Sequence, residues 1–168
     1  INRYEEKGRC NASNNLKIAR AALHYWEEPC ISGEEGSGTI FFSNCNLKCI
    51  FCQNKEISTK GFGEEITIER FSDICIELQN KKANNINLVT PTSYVPQIIE
   101  AIESAKERGL KLPIVYNTNG YENVETIKML DGYIDIYLPD LKYYYNELGE
   151  KYSKVKNYFE IATEAIRE

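Results

Sequence analysis

The sequence predicts an α/β fold with a parallel sheet, on two observations. Short β-branched and aromatic runs alternate with amphipathic helical stretches, and turn signals separate them in regular order. Strand–helix–strand units in succession force parallel pairing, because each helix returns the chain to the same end of the sheet through a right-handed crossover. At 168 residues, 42% of them hydrophobic, the chain is sized for one domain with a core of its own.

The elements follow in order. After a polar start, Leu16, Ala19, Leu23 and Trp26 recur at helical spacing up to Pro29, which predicts a first helix over about 16–27. Residues 33–38 are glycine-rich loop, and Thr39-Ile40-Phe41-Phe42 has the composition of a short buried strand. Thr67 is the predicted N-cap of a helix that carries Ile68, Phe71, Ile74, Cys75 and Leu78 on one stripe. Ile86 to Val89 reads as the second strand, and Val95, Ile98, Ile99 and Ile102 as the next helical stripe, closed by Gly109. Ile114 to Tyr116 is the third strand, Val124, Ile127 and Leu130 mark a shorter helix, and Ile134 to Leu138 is the fourth strand. A last stripe, Tyr152, Val155, Phe159, Ala162 and Ile166, is helical. The organisation read from this is an N-terminal helical segment over 1–38 followed by the βα core over 39–168.

With 20 Lys and Arg against 25 Asp and Glu, the net charge of −5 offers no basic field for phosphates, so nucleic acid is not expected as a partner. No apolar stretch approaches the roughly 20 residues that span a bilayer, and residues 1–7 are charged where a signal peptide is apolar, which predicts a cytoplasmic protein without a membrane partner. Six cysteines are too few for a disulfide scaffold in a chain this long, and three of them fall within eight residues, where pairing would close small strained loops.

Those three are Cys45, Cys49 and Cys52, spaced Cys-x3-Cys-x2-Cys immediately after a predicted strand. Three thiolates on one tight loop can hold three corners of a cubane [4Fe-4S] cluster and leave the fourth iron open to another ligand. A zinc site, which prefers four protein ligands, and a set of ordinary reduced thiols are the alternatives. The carboxyl ends of parallel strands are where ligands gather. There the chain carries Thr90-Pro91-Thr92, Asn117-Thr118-Asn119-Gly120 and Asp140-Leu141-Lys142. An ordinary Asn-Gly turn and a solvated Asp-x-Lys pair are the competing readings of the last two.

The cysteine loop, with the aromatic Phe51 before the third cysteine, resembles the signature of the radical S-adenosylmethionine (radical SAM) superfamily. The runs His24 to Gly33, Gly36 to Thr39 and Cys52-Gln53-Asn54 are similar to the branch of pyruvate formate-lyase activating enzyme-like proteins. The resemblance implies a partial (βα)6 barrel, of which the four strands here leave two to be supplied at the C-terminal side. It implies that Cys45, Cys49 and Cys52 hold the cluster and that Phe51, Thr90, Thr92, Asn117, Asn119 and Lys142 meet S-adenosylmethionine, Lys142 neutralising its carboxylate. An oxidoreductase is implied, with an electron donor such as flavodoxin or ferredoxin. A glycyl-radical enzyme or a peptide would supply the hydrogen atom.

Two departures bear on the transfer of residue roles. Activating enzymes carry Gly-Gly-Glu where this chain has Thr90-Pro91-Thr92, and an Asp where Asn117 stands. His24, the only histidine, is expected in the last turn of the first helix, where a cation suits the dipole; Cys75 is expected in the core. Cys10 and Cys30 receive no role, Cys30 being close enough in sequence to face the cluster region. The tyrosines between 133 and 158 are expected to pack.

Overall fold

The computed structural model describes Gly8 and residues 10–168; the charged opening residues 1–7 lie outside the described residues. Six strands form one sheet: β1 (Leu16–His24), β2 (Ser37–Phe42), β3 (Glu64–Ile66), β4 (Ile86–Val89), β5 (Ile114–Thr118) and β6 (Ile136–Pro139), in the spatial order β3-β1-β2-β4-β5-β6. From β2 through β6 the pairing is parallel, as the crossover argument requires. The sheet is a partial (βα) core and does not close on itself.

The first expected helix is instead β1, antiparallel to β2 from Ile18↔Phe42 to His24↔Ser37 and to β3 from Leu16↔Ile66 to Ile18↔Glu64. Its register with β2 shifts between Ile18 and Arg20, and this irregularity breaks the two-residue alternation that marks a strand. The alanine-rich middle favours helix by propensity alone, and strand pairing overrides that preference. Trp26 is 89% exposed and belongs to no buried stripe. His24 ends a strand rather than a helix, with Nε2 3.9 Å from Glu27 Oε1 in place of a dipole partner.

The helices are α1 (Pro29–Ser32), α2 (Lys55–Ser58), α3 (Ile68–Asn80), α4 (Val95–Glu107), α5 (Val124–Met129), α6 (Asn146–Leu148) and α7 (Tyr158–Arg167). Helix α3 starts where expected, the Thr67 side chain accepting a hydrogen bond from Arg70 N at 3.1 Å. Its stripe and that of α4 cover one face of the sheet, with Phe71, Ile74, Leu78, Ile98 and Ile102 packed on Ile40, Phe42, Ile86, Leu88 and Ile114. Cys75 lies in this core, and burial pushes its thiol up to about 12. Cys10 is buried in the same core, and Cys30 is exposed on α1.

The last expected stripe is split. Tyr152 falls in a π-turn over Gly149–Ser153, and α7 begins only at Tyr158, after Asn157 in the left-handed conformation. Tyr158, Ala162 and Val155 then meet Tyr143 and Leu47 of the cysteine loop in a second, smaller core. No helix among the described residues is long and apolar enough to cross a membrane.

Candidate functional site

Parallel strands in common register carry their following loops to one rim. The loop after β2 bears the three cysteines, and it is fixed at both ends by backbone hydrogen bonds: Asn44 N to Ile57 O (3.2 Å) and Cys45 N to Ser58 O (3.0 Å) close it on α2. Lys48 N to Ser153 O (3.0 Å) and Ile50 N to Tyr152 O (2.9 Å) tie its middle to the π-turn. Leu47, 1% exposed, anchors the loop in the second core.

A cavity of about 430 Å³ opens at this rim, and its lining contains Cys45, Cys49, Cys52, Phe51, Thr90, Asn117, Asn119 and Lys142. Of the residues expected to hold a cluster or its co-ligand, Thr92 alone is not brought there. It lies in the 3₁₀ turn after β4, and its hydroxyl donates to Glu122 Oε1 at 2.6 Å. Phe51 is 57% exposed at the cavity mouth, and Cys10, Cys30 and His24 are outside the lining.

The polar residues of the rim are already committed in part. Lys142 Nζ pairs with the Asp140 carboxylate, so its charge is shared before any ligand arrives. Asn117 Nδ2 donates to Glu27 Oε2 at 3.4 Å, which leaves its side-chain oxygen without a hydrogen bond among the described residues. Burial raises the Glu27 carboxyl, opposed by the neighbouring His24. Asn119 is more fully engaged: Nδ2 donates to Asn46 Oδ1 (2.7 Å) and to Cys45 Sγ (3.5 Å), and Oδ1 accepts from Tyr121 N (3.0 Å). Thr90 holds φ 61°, an outlier for a β-branched residue, at the end of β4.

The three thiols are not gathered around a single-ion position. Among the described residues no three Cys, His, Asp or Glu side chains gather closely enough to ligate one ion. Zinc–sulfur bonds of about 2.3 Å hold thiolates almost in contact, whereas a cubane takes one thiolate at each of several separated irons. The thiols nevertheless sense one another. Burial first, then the neighbouring Cys49 and Cys52, push the Cys45 thiol up to about 11. A cationic cluster in the cavity would relieve both effects.

Sequence reasoning missed Tyr158, Ser153, Ser58 and Glu122. Tyr158 OH accepts from Lys142 N (2.9 Å) and reaches Asn119 O (2.7 Å) and Asp140 O (3.0 Å), joining the rim ends of β5 and β6. Glu122, 3% exposed, collects hydroxyls from Thr92, Thr118 and Tyr116 on Oε1, while Oε2 has no partner among the described residues. No local motif marks either residue. A second cavity of about 580 Å³ between β5, β6, α5 and α7 shares Thr118 with the first and is also lined by Glu122, but contains no thiol.

Burial raises the Glu122 carboxyl, only partly offset by the hydroxyls of Thr118, Thr92 and Tyr116. Between its ordinary value of 4.5 and the raised folded value, the folded chain holds more protons than the unfolded one. Stability present below that window is therefore lost as pH rises through it. Glu122→Gln cannot titrate, so thermal melts across pH should show the wild type losing stability relative to the variant from about 4.5 upward. Parallel curves would refute the assignment.

The Radical SAM superfamily model matches residues 39–168. The chain is also 35% identical to an uncharacterized protein of Methanocaldococcus jannaschii over 174 aligned positions, which take in 96% of this chain and 48% of the relative. The chain thus spans about half the length of the curated relative it matches.

Proposed function

The chain belongs to the Radical SAM superfamily, and on that premise we propose that it cleaves S-adenosylmethionine reductively, with Cys45, Cys49 and Cys52 holding a [4Fe-4S] cluster. One observation carries the reading: the three thiols share a single cavity at the carboxyl ends of the parallel strands with Asn117, Thr90 and Lys142. A cluster held by Cys45, Cys49 and Cys52 would, with S-adenosylmethionine bound, supply one-electron cleavage of a carbon–sulfur bond for hydrogen-atom abstraction.

The chain's own residues bind, orient and exclude water. Lys142, its charge partly offset by Asp140, holds the methionine carboxylate. Asn117 offers its side-chain oxygen to a hydroxyl or ammonium of the ligand, its amide nitrogen being held by Glu27. Phe51 covers the mouth. Leu47 and the tyrosines beneath it seal the loop from below. Thr92 is assigned no ligand contact, and Asn119 is assigned to the cysteine loop.

The hydrogen donor we propose is a backbone glycine of a partner enzyme, as in pyruvate formate-lyase activation. The support is the similarity of His24 to Gly33 and of Cys52-Gln53-Asn54 to that branch. The electron donor is a small carrier of the flavodoxin or ferredoxin class. Modification of another peptide or small molecule is the nearest alternative.

The test is anaerobic reconstitution with iron and sulfide, then counting of iron and assay for 5′-deoxyadenosine after addition of reductant and S-adenosylmethionine. The reading predicts four irons per chain and release of 5′-deoxyadenosine. Retention of zinc without cleavage would overturn it in favour of a metal-binding module. Electron paramagnetic resonance of a glycyl-radical enzyme mixed with the reconstituted protein then tests the partner. A glycyl signal supports the activase assignment, and its absence alongside cleavage overturns that assignment alone.

A further inference from the structure

Each cysteine of the loop meets a neutral side-chain partner, and Cys45 also reaches Asn46 Oδ1 at 3.8 Å. Asn119 Nδ2 donates to Cys45 Sγ at 3.5 Å, Ser153 Oγ lies 2.8 Å from Cys49 Sγ, and Ser58 Oγ lies 3.2 Å from Cys52 Sγ. Ser153 is fully buried, and its hydroxyl also contacts Tyr143 OH at 2.7 Å. Ser153 thus stands between a phenol and a thiol, and it comes from a segment whose backbone already holds Lys48 and Ile50 of the loop.

We propose that Ser153 and Tyr143 are positioning residues for the cluster, forming a directed relay Tyr143 OH → Ser153 Oγ → Cys49 Sγ. This rests on the cluster reading above. The direction follows from donor counting. A ligating thiolate has no proton and only accepts, so the single Ser153 proton points at Cys49. The Ser153 oxygen is then left as an acceptor, and the phenolic proton of Tyr143 fills it. Chains of hydrogen bonds polarise one another, so Tyr143 strengthens the bond that Ser153 makes to sulfur.

Hydrogen bonds to the sulfurs of an iron–sulfur cluster tune its reduction potential, and a donor favours the more negative, reduced form. Ser153 therefore eases the one-electron reduction on which cofactor cleavage depends. Before any metal binds, the Ser153–Cys49 contact, whichever atom donates, fixes the orientation of a half-exposed loop thiol from the protein interior. Ser58 and Asn119 do the same for the other two thiols from more accessible positions.

The experiment is a redox titration followed by electron paramagnetic resonance on the reconstituted protein, comparing wild type with Ser153→Ala and Tyr143→Phe, and with iron counted in each. Ser153→Ala should retain iron and make reduction about tenfold less favourable, a shift of about 59 mV to more negative potential for one electron. Tyr143→Phe, which leaves the Ser153 proton in place, should move the potential in the same direction by less. Unchanged potentials in both variants, or a shift in Tyr143→Phe alone, would overturn the relay. Should Ser153→Ala lose its circular dichroism spectrum, Tyr143→Phe decides by the same criterion. A wild type that takes up no iron would instead overturn the cluster reading, so the two failures are distinguishable.

Discussion

Cys49→Ala is expected to abolish cluster assembly and 5′-deoxyadenosine release while leaving the sheet folded. Two thiolates cannot secure a cubane that offers its open corner to a small ligand. The folded state depends little on this side chain. Cys49 is partly exposed, at the border of the smaller core, and the main core of α3, α4 and the parallel strands does not include it. Iron counting and far-ultraviolet circular dichroism, read together, check the prediction. Loss of both would make the loop structural, and retention of four irons would remove Cys49 from the ligand set.

Leu47→Ala should act in the opposite sense, on stability first and on the site as a result. Leu47 is 1% exposed and is the loop's inward anchor against Tyr143, Val155, Tyr158 and Ala162. Truncating a buried leucine removes its transfer free energy and leaves a cavity, typically about 2–5 kcal/mol. For a domain of this size that is roughly 5–20 °C in melting temperature. Because the same side chain holds the residue midway between Cys45 and Cys49, iron occupancy should fall with it. Calorimetry paired with iron analysis checks both, and a melting temperature within 2 °C or so of wild type would refute the anchoring role.

The difference between these variants follows a division in what the sequence displays. Ile86 to Val89 and the Thr67-capped helix are legible because their signals are local: a short apolar run, and a cap three residues before the amide it satisfies. The cysteine spacing is local too, and strand order alone places Asn117, Thr90 and Lys142 on the rim with it. Strand β1 is not legible because its irregular register hides the alternation, and β3 is three residues long with two exposed glutamates. The partners of the site are illegible for a different reason. Ser153 stands 104 positions from Cys49, and Glu122 draws one of its hydroxyls from Thr92, 30 positions before it. No periodicity links such residues; only the folded chain does.

The distance between Cys49 and Ser153 also sets a schedule. At about 5–20 residues per second on the ribosome, the 104 positions between them take roughly 5–20 s to synthesise. Through that interval the nascent loop has its thiols but neither the Ser153 donor nor the π-turn backbone that shapes it. Iron delivered to the emerging chain would meet a floppy tripeptide-spaced trap open to any soft metal, so faithful loading belongs after translation of the second core.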